Sequence, residues 1–154
     1  MLEIFIQQND RRYTKRVKKL NSFCQHVIQS AWRSYTPAEV SLVLADDVFV
    51  HQLNYQYRHK DSPTNVLSFE TKEKPEKGMV WLAGDIIVAY ETVLKESRMQ
   101  NKSFEAHLAH LLIHGTLHLQ GYDHLEEKEA QKMEKLETKL MKSLGYDDPY
   151  KDVE

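Results

Sequence analysis

VSLVLADDVFVHQLNYQY, residues 40–57, places a strand directly before a helix, and from that junction the layers of the fold can be read outward. The run at 40–45 is apolar, rich in β-branched residues and of strand length, the pattern of a buried strand. It meets Asp46 and Asp47, whose short carboxylates can accept the free N–H groups of a first helical turn, so a helix is predicted from there through Tyr57.

Toward the N-terminus, LEIFI at 2–6 reads as a strand, and Val17, Leu20, Cys24, Val27, Ile28 and Ala31 recur at helical spacing. One long helix follows from that pattern, with Pro37 closing the helical region. Toward the C-terminus, HKDSPT at 59–64 has turn chemistry and NVLSFE is a strand. TKEKPEKG at 71–78 is a charged loop before the apolar run at 80–90, which contains WLAGDIIVA, and the two flanking strands could form a hairpin. Helices are predicted from Glu91 to Arg98, from Ser103 to Gln120 and from Leu125 to Leu144, with Gly121 and Gly145 stopping the last two. No period, linker or low-complexity segment divides the chain. The expected fold is α/β or α+β: one domain over residues 1–154, with a mixed sheet of about four strands covered by about five helices.

Bulk composition agrees with such a fold. With 41% hydrophobic and 29% charged residues over 154 positions the chain can bury a real core. The N-terminal apolar run is too short for a signal-peptide core and nothing approaches a membrane span, which points to the cytoplasm and away from a membrane partner. Cys24 lies in an amphipathic helical pattern and reads as a core thiol, and no cysteine-based metal motif exists. Net charge is −2, but residues 1–60 carry 9 Lys and Arg against 5 Asp and Glu, so the basic side is N-terminal. Arg11, Arg12, Lys15, Arg16, Lys18 and Lys19 could steer a polyanion, although a solvated helix face explains the run more simply.

The helix from Ser103 carries His107, His110, His114 and His118 within one stripe of roughly 60°. Imidazoles one turn apart lie about 6 Å apart along the axis and can converge on one cation, which offers two pairs, His110 with His114 or His114 with His118. Gly121, three residues past His118, can turn the chain back and bring His124 to the second pair. His107 and His110 then read as core histidines, and His114, His118 and His124 as the ligands of one zinc ion per chain. Three ligands leave the fourth tetrahedral position open, as a catalytic site requires. Asp123 could close the site or orient a histidine, and the second role is preferred.

The string HGTLHLQGYDH at 114–124 shares its histidine and glycine spacing with the metzincin peptidases, which place Glu after the first histidine as general base. Here that position is Gly115, so the cage is similar and the peptidase base is missing. Together with LNYQYRHKDSPTNVLSF at 53–69 and AGDIIV at 83–88, the string resembles the YbeY family of bacterial ribosomal-RNA maturation endoribonucleases, over most of residues 40–130. Ala83 departs from the larger aliphatic residue usual there, a matter of packing.

The resemblance implies a zinc-dependent, single-strand-specific endoribonuclease of the cytoplasm. It would act in 16S ribosomal-RNA maturation and ribosome quality control, with the 16S precursor and the small ribosomal subunit as partners and no DNA substrate. It carries the metal-ligand role to His114, His118 and His124 and a catalytic role to Arg58 beside His114. A guanidinium suits that role because its donor fork binds phosphate oxygens, while an ion pair with Asp61 is the plainer alternative. Asp85 would brace the site or cap a turn. No residue is marked as general base. Two other functions compete: a ribosome-assembly factor with a structural zinc, and a zinc peptidase, which Gly115 argues against.

Overall fold

The computed structural model describes residues 1–60, 64–71 and 75–151. Parts of the predicted turn at 59–64, Asp61 among them, and of the predicted charged loop at 71–78 lie outside the described residues. The elements are β1 (Leu2–Gln8), α1 (Arg12–Arg16), α2 (Leu20–Ala31), β2 (Ala38–Ala45), α3 (Asp47–Arg58), β3 (Val66–Glu70), β4 (Trp81–Ala89), α4 (Tyr90–Met99), α5 (Phe104–Leu119) and α6 (Glu127–Ser143).

The four strands form a mixed sheet in the order β1-β2-β4-β3. β1 and β4 flank β2 in parallel, and β3 pairs antiparallel with β4, completing the hairpin expected from their sequences. Alternation along β2 assigns the two faces. Val40, Leu42 and Leu44 join the main core with Ile86 and Val88 of β4 and the apolar residues of α2, α5 and α6. Val43 and Ala45 point the other way, into a smaller core with Leu67, Ile87 and Ala89 under Val50 and Leu53 of α3. The junction at 45–47 thus passes from a strand whose apolar residues reach both cores into a helix that covers the smaller one.

α5 is the centre of the molecule, touching α2, α4, α6, β3 and β4. Leu108, Leu112, Ile113 and Leu117 are fully buried, each such side chain contributing roughly 1.5–3 kcal/mol by leaving water. Its start is capped by Ser103, whose Oγ accepts the Ala106 N–H at 3.0 Å, as Asp46 caps α3 by accepting from Phe49 N at 2.9 Å. Gly115 lets α5 approach β4, since a Cβ there would stand 3.2 Å from Ile86 Cγ2. Gly84 on β4 is tighter still: at φ +143° it faces the Phe69 carbonyl, which an added Cβ would meet at 2.1 Å.

The N-terminal third departs from its expectation. In place of one long helix there are α1 and α2, separated at Val17, which is extended and buried, and at Lys19, in the left-handed region at φ +50°. Val17 reaches the core from a bend, so its apolar character matched a helical spacing that its backbone does not follow. Nor does Pro37 close the helix. α2 stops at Ala31, Trp32 packs on Trp81 with ring centroids 5.3 Å apart, and the Pro37 carbonyl accepts Trp81 N–H at 2.8 Å where β2 begins. Cys24 is buried, and burial pushes its thiol up to about 12, so it is a core group and not a nucleophile. No helix among the described residues is long and apolar enough to cross a membrane.

Candidate metal centre

The last two turns of α5 carry His114 and His118 on one side, and the chain reverses immediately after them. Gly121 takes φ +95°, its N–H bonding the His118 carbonyl at 3.0 Å while Tyr122 N bonds the Leu117 carbonyl at 3.1 Å, a left-handed helix stop that only glycine adopts cheaply. The turn returns His124 to the other two rings. Ring centroids lie 4.6 Å apart for His114 and His118, 5.1 Å for His118 and His124, and 5.5 Å for His114 and His124.

One nitrogen from each of the three falls within 4.8 Å of the others, a group that could hold a metal ion. His114 Nε2 and His118 Nε2 are 3.1 Å apart, close to the roughly 3.3 Å that two nitrogens bound tetrahedrally to one zinc would keep. Burial, with repulsion from the His114 and His124 rings added, lowers His118 to about 4, so at neutral pH it is an uncharged donor, the form a metal needs. The three sit in a cleft of about 1070 Å³ that is also lined by Arg58, Lys60, Glu70, Asp123 and Tyr150.

Arg58 ends α3 across the cleft. Its guanidinium donates to the Ser68 carbonyl at 2.6 Å and lies over the Phe69 ring, 5.1 Å from its centroid, while Asp61, its alternative partner by sequence, lies outside the described residues. Asp123 accepts the backbone N–H of His124 at 2.7 Å and so holds the turn that presents that ring. Asp85 is exposed in the middle of β4 and does not line the cleft. None of the six basic residues from Arg11 to Lys19 lines it either. Arg12 instead pairs with Asp10 at 2.6 Å and Glu91 at 2.8 Å, and Arg16 donates to the Tyr90 hydroxyl at 2.9 Å, so part of the run is structural.

Sequence reasoning missed Glu137. This fully buried residue of α6 accepts from His114 Nδ1 at 2.6 Å and from His110 Nε2 at 2.8 Å, and the Tyr150 hydroxyl donates to it as well. Burial pushes its carboxyl up, but the bonds from His110 and His114, the charge of His114 and the Tyr150 bond outweigh that and hold it at about 2. A signal was present: Glu137 follows Met133 by four residues and precedes Leu140 by three, on the apolar stripe of α6, where a carboxylate needs buried partners. His107 lines the same cleft but stays out of this network, bonding Glu96 through Nε2 at 2.8 Å. Gly115 faces Ile86 and the sheet, so a glutamate at that position would not point into the cleft.

A sequence model of the family described as Endoribonuclease YbeY matches residues 3–145. A protein of Sinorhizobium fredii named Endoribonuclease YbeY is 50% identical over 117 residues, 75% of this chain and 68% of that protein. Another of the same name from Pseudomonas putida is 43% identical over 154 residues, 100% of this chain and 96% of that protein. Among solved structures, the solution structure of a Thermotoga maritima protein is similar with a TM-score of 0.59 and 27% identity, covering 99% of this chain and 100% of that one.

Proposed function

The chain belongs to the endoribonuclease YbeY family, and from that premise we propose that it is a zinc-dependent endoribonuclease cutting single-stranded RNA. Its substrate in this reading is the 16S ribosomal-RNA precursor on the small ribosomal subunit, in the cytoplasm, and residues 1–154 work as one hydrolase domain. The observation that carries the reading is the convergence of three imidazoles within 4.8 Å in a cleft that Arg58 also lines.

His114, His118 and His124 hold the ion, and three nitrogen donors with an open position fit a catalytic zinc better than a closed structural one. Bound zinc supplies Lewis acidity and makes water a nucleophile near neutral pH. Arg58 binds phosphate oxygens through its fork and stabilises charge developing on phosphorus. Lys60 and Lys151 line the same cleft and meet the phosphates on either side, which makes binding weaken as salt rises.

The test is cleavage of a labelled, unstructured RNA beside metal analysis. The unaltered chain is expected to bind about one zinc and to cut, and His118→Ala to lose both, as one of three ligands is removed. Cleavage that persists in a zinc-free His118→Ala chain would overturn the reading. Full zinc occupancy with no cleavage would leave the ion a structural part.

A further inference from the structure

Glu137 joins α6 to the histidine stripe of α5. Among the described residues its donors are all groups that can be neutral, two imidazoles and a phenol, rather than a lysine or arginine. Taking a carboxylate out of water costs several kcal/mol, and a leucine would fill the same space more cheaply. The position is therefore specified by what the carboxylate does to its donors.

An ionised carboxylate can only accept hydrogen bonds. The neutral ring of His114, the form that binds a metal, then carries its proton on Nδ1, 2.6 Å from Glu137 Oε1, and the Nε2 lone pair is left facing the His118 and His124 rings. His110 Nε2 is committed in the same way to Oε2 at 2.8 Å, which removes that nitrogen from the ligand set and explains why the His110 and His114 pair is not the metal pair. The Tyr150 hydroxyl completes the set. Tyr150 belongs to the segment after α6, which is pinned where Asp148 accepts from Tyr150 N at 2.8 Å and Lys102 Nζ donates to the Pro149 carbonyl at 2.7 Å.

We propose that Glu137 is the positioning residue of the metal centre, fixing His114 as the Nδ1–H tautomer with Nε2 aimed at the ion. His110 and Tyr150 hold the carboxylate in place, so the segment from Tyr146 to Tyr150 is part of the centre although it supplies no ligand. The inference rests on the metal reading above. Partners of this kind commonly govern metal affinity by about 10- to 100-fold.

The experiment measures zinc affinity by chelator competition, and the His114 tautomer by nitrogen NMR of the imidazole rings, with and without zinc. The unaltered chain, Glu137→Gln and Tyr150→Phe are compared at a temperature where all are folded. Glu137→Gln keeps the shape but replaces a pure acceptor by an amide, and its zinc affinity is expected to fall about 10- to 100-fold. Tyr150→Phe removes one donor from a residue at the surface of the cleft, keeps the ring, and is expected to weaken zinc by less than about tenfold. In the unaltered chain His114 is expected to carry its proton on Nδ1 before zinc is added, and in Glu137→Gln that preference should weaken together with the zinc affinity, a coupling that a purely structural carboxylate would not show. Should Glu137→Gln fail to fold, the tautomer in the unaltered chain and Tyr150→Phe still decide. Unchanged affinity in both variants, or an Nε2–H tautomer at His114 in the unaltered zinc-free chain, would overturn the proposal alone. Absence of zinc binding by the unaltered chain would instead overturn the metal reading, and this inference with it.

Discussion

Arg58 ends α3, where the helix dipole favours a cation, and its guanidinium spans the gap to β3 by bonding the Ser68 carbonyl. A guanidinium carries five N–H donors, more than one carbonyl can use, so the contact aims the group without exhausting it. The side chain is exposed and fills no core space. Arg58→Ala is therefore expected to leave zinc content and melting temperature nearly intact. RNA cleavage should fall by about two to three orders of magnitude, the scale of losing one donor to transition-state charge. Arg58→Lys should recover only part, because an ammonium lacks the bidentate fork. Equal cleavage by all three chains at equal metal content would remove Arg58 from the reaction. The site was legible unevenly at this scale. His114, His118 and His124 stand out because histidines one helical turn apart, followed by a glycine stop and a third histidine, match the needs of a metal ion closely. Glu137 lies well beyond them in the chain and meets His114 only because α6 packs on α5, which no local pattern encodes.

Among the elements, α4 shows how one helix is started by another. Its N-cap residue, Ala89, has no side chain able to accept a first-turn N–H. Asp47 at the start of α3 supplies the acceptor instead, taking Thr92 N at 3.0 Å on one oxygen and the Thr92 hydroxyl at 2.8 Å on the other. Asp47→Ala should therefore cost about 1–2 kcal/mol, the scale of a lost helix cap, and Asp47→Asn less, since an amide oxygen can still accept. Urea denaturation checks this, and an unchanged midpoint in Asp47→Ala would refute the shared cap. The sequence shows Asp46 and Asp47 as cap candidates but not that they serve different helices, because that division depends on where β4 delivers Tyr90. The same limit explains α1 and α2. Val17, Leu20, Cys24 and Val27 keep a helical spacing across a break at Lys19 that only tertiary packing imposes. The strands were easier to read, since 40–45 and 80–90 are apolar runs bounded by charged or turn residues, and the hairpin expected of the last two strands is the antiparallel pairing of β3 with β4.

At the scale of the whole molecule, the three histidines join the end of α5 to the connection that enters α6, and metal should bind the folded state in preference to the unfolded one. That connection is tied to the body near its start. Gln120 bonds the Ala31 carbonyl at 2.9 Å and accepts from Arg33 N at 2.7 Å, and Tyr122 N bonds the Leu117 carbonyl at 3.1 Å, but the His124 ring itself is largely exposed. The core built on α5 and the sheet does not pass through the site, so the zinc-free chain is expected to stay folded, unlike small domains that depend on their ion. Free zinc at about a hundred times its dissociation constant adds about 2.7 kcal/mol, which for a chain of this size is a rise of roughly 5–10 °C in melting temperature. Chelation should remove that increment and leave one cooperative transition. His124→Ala should melt near the zinc-free unaltered chain and respond to neither zinc nor chelator, because it deletes a ligand and little packing. Calorimetry with metal content measured on each sample decides the matter: a melting curve unmoved by proven zinc removal would deny the ion any part in stability, and complete unfolding on chelation would make it a structural element of the fold.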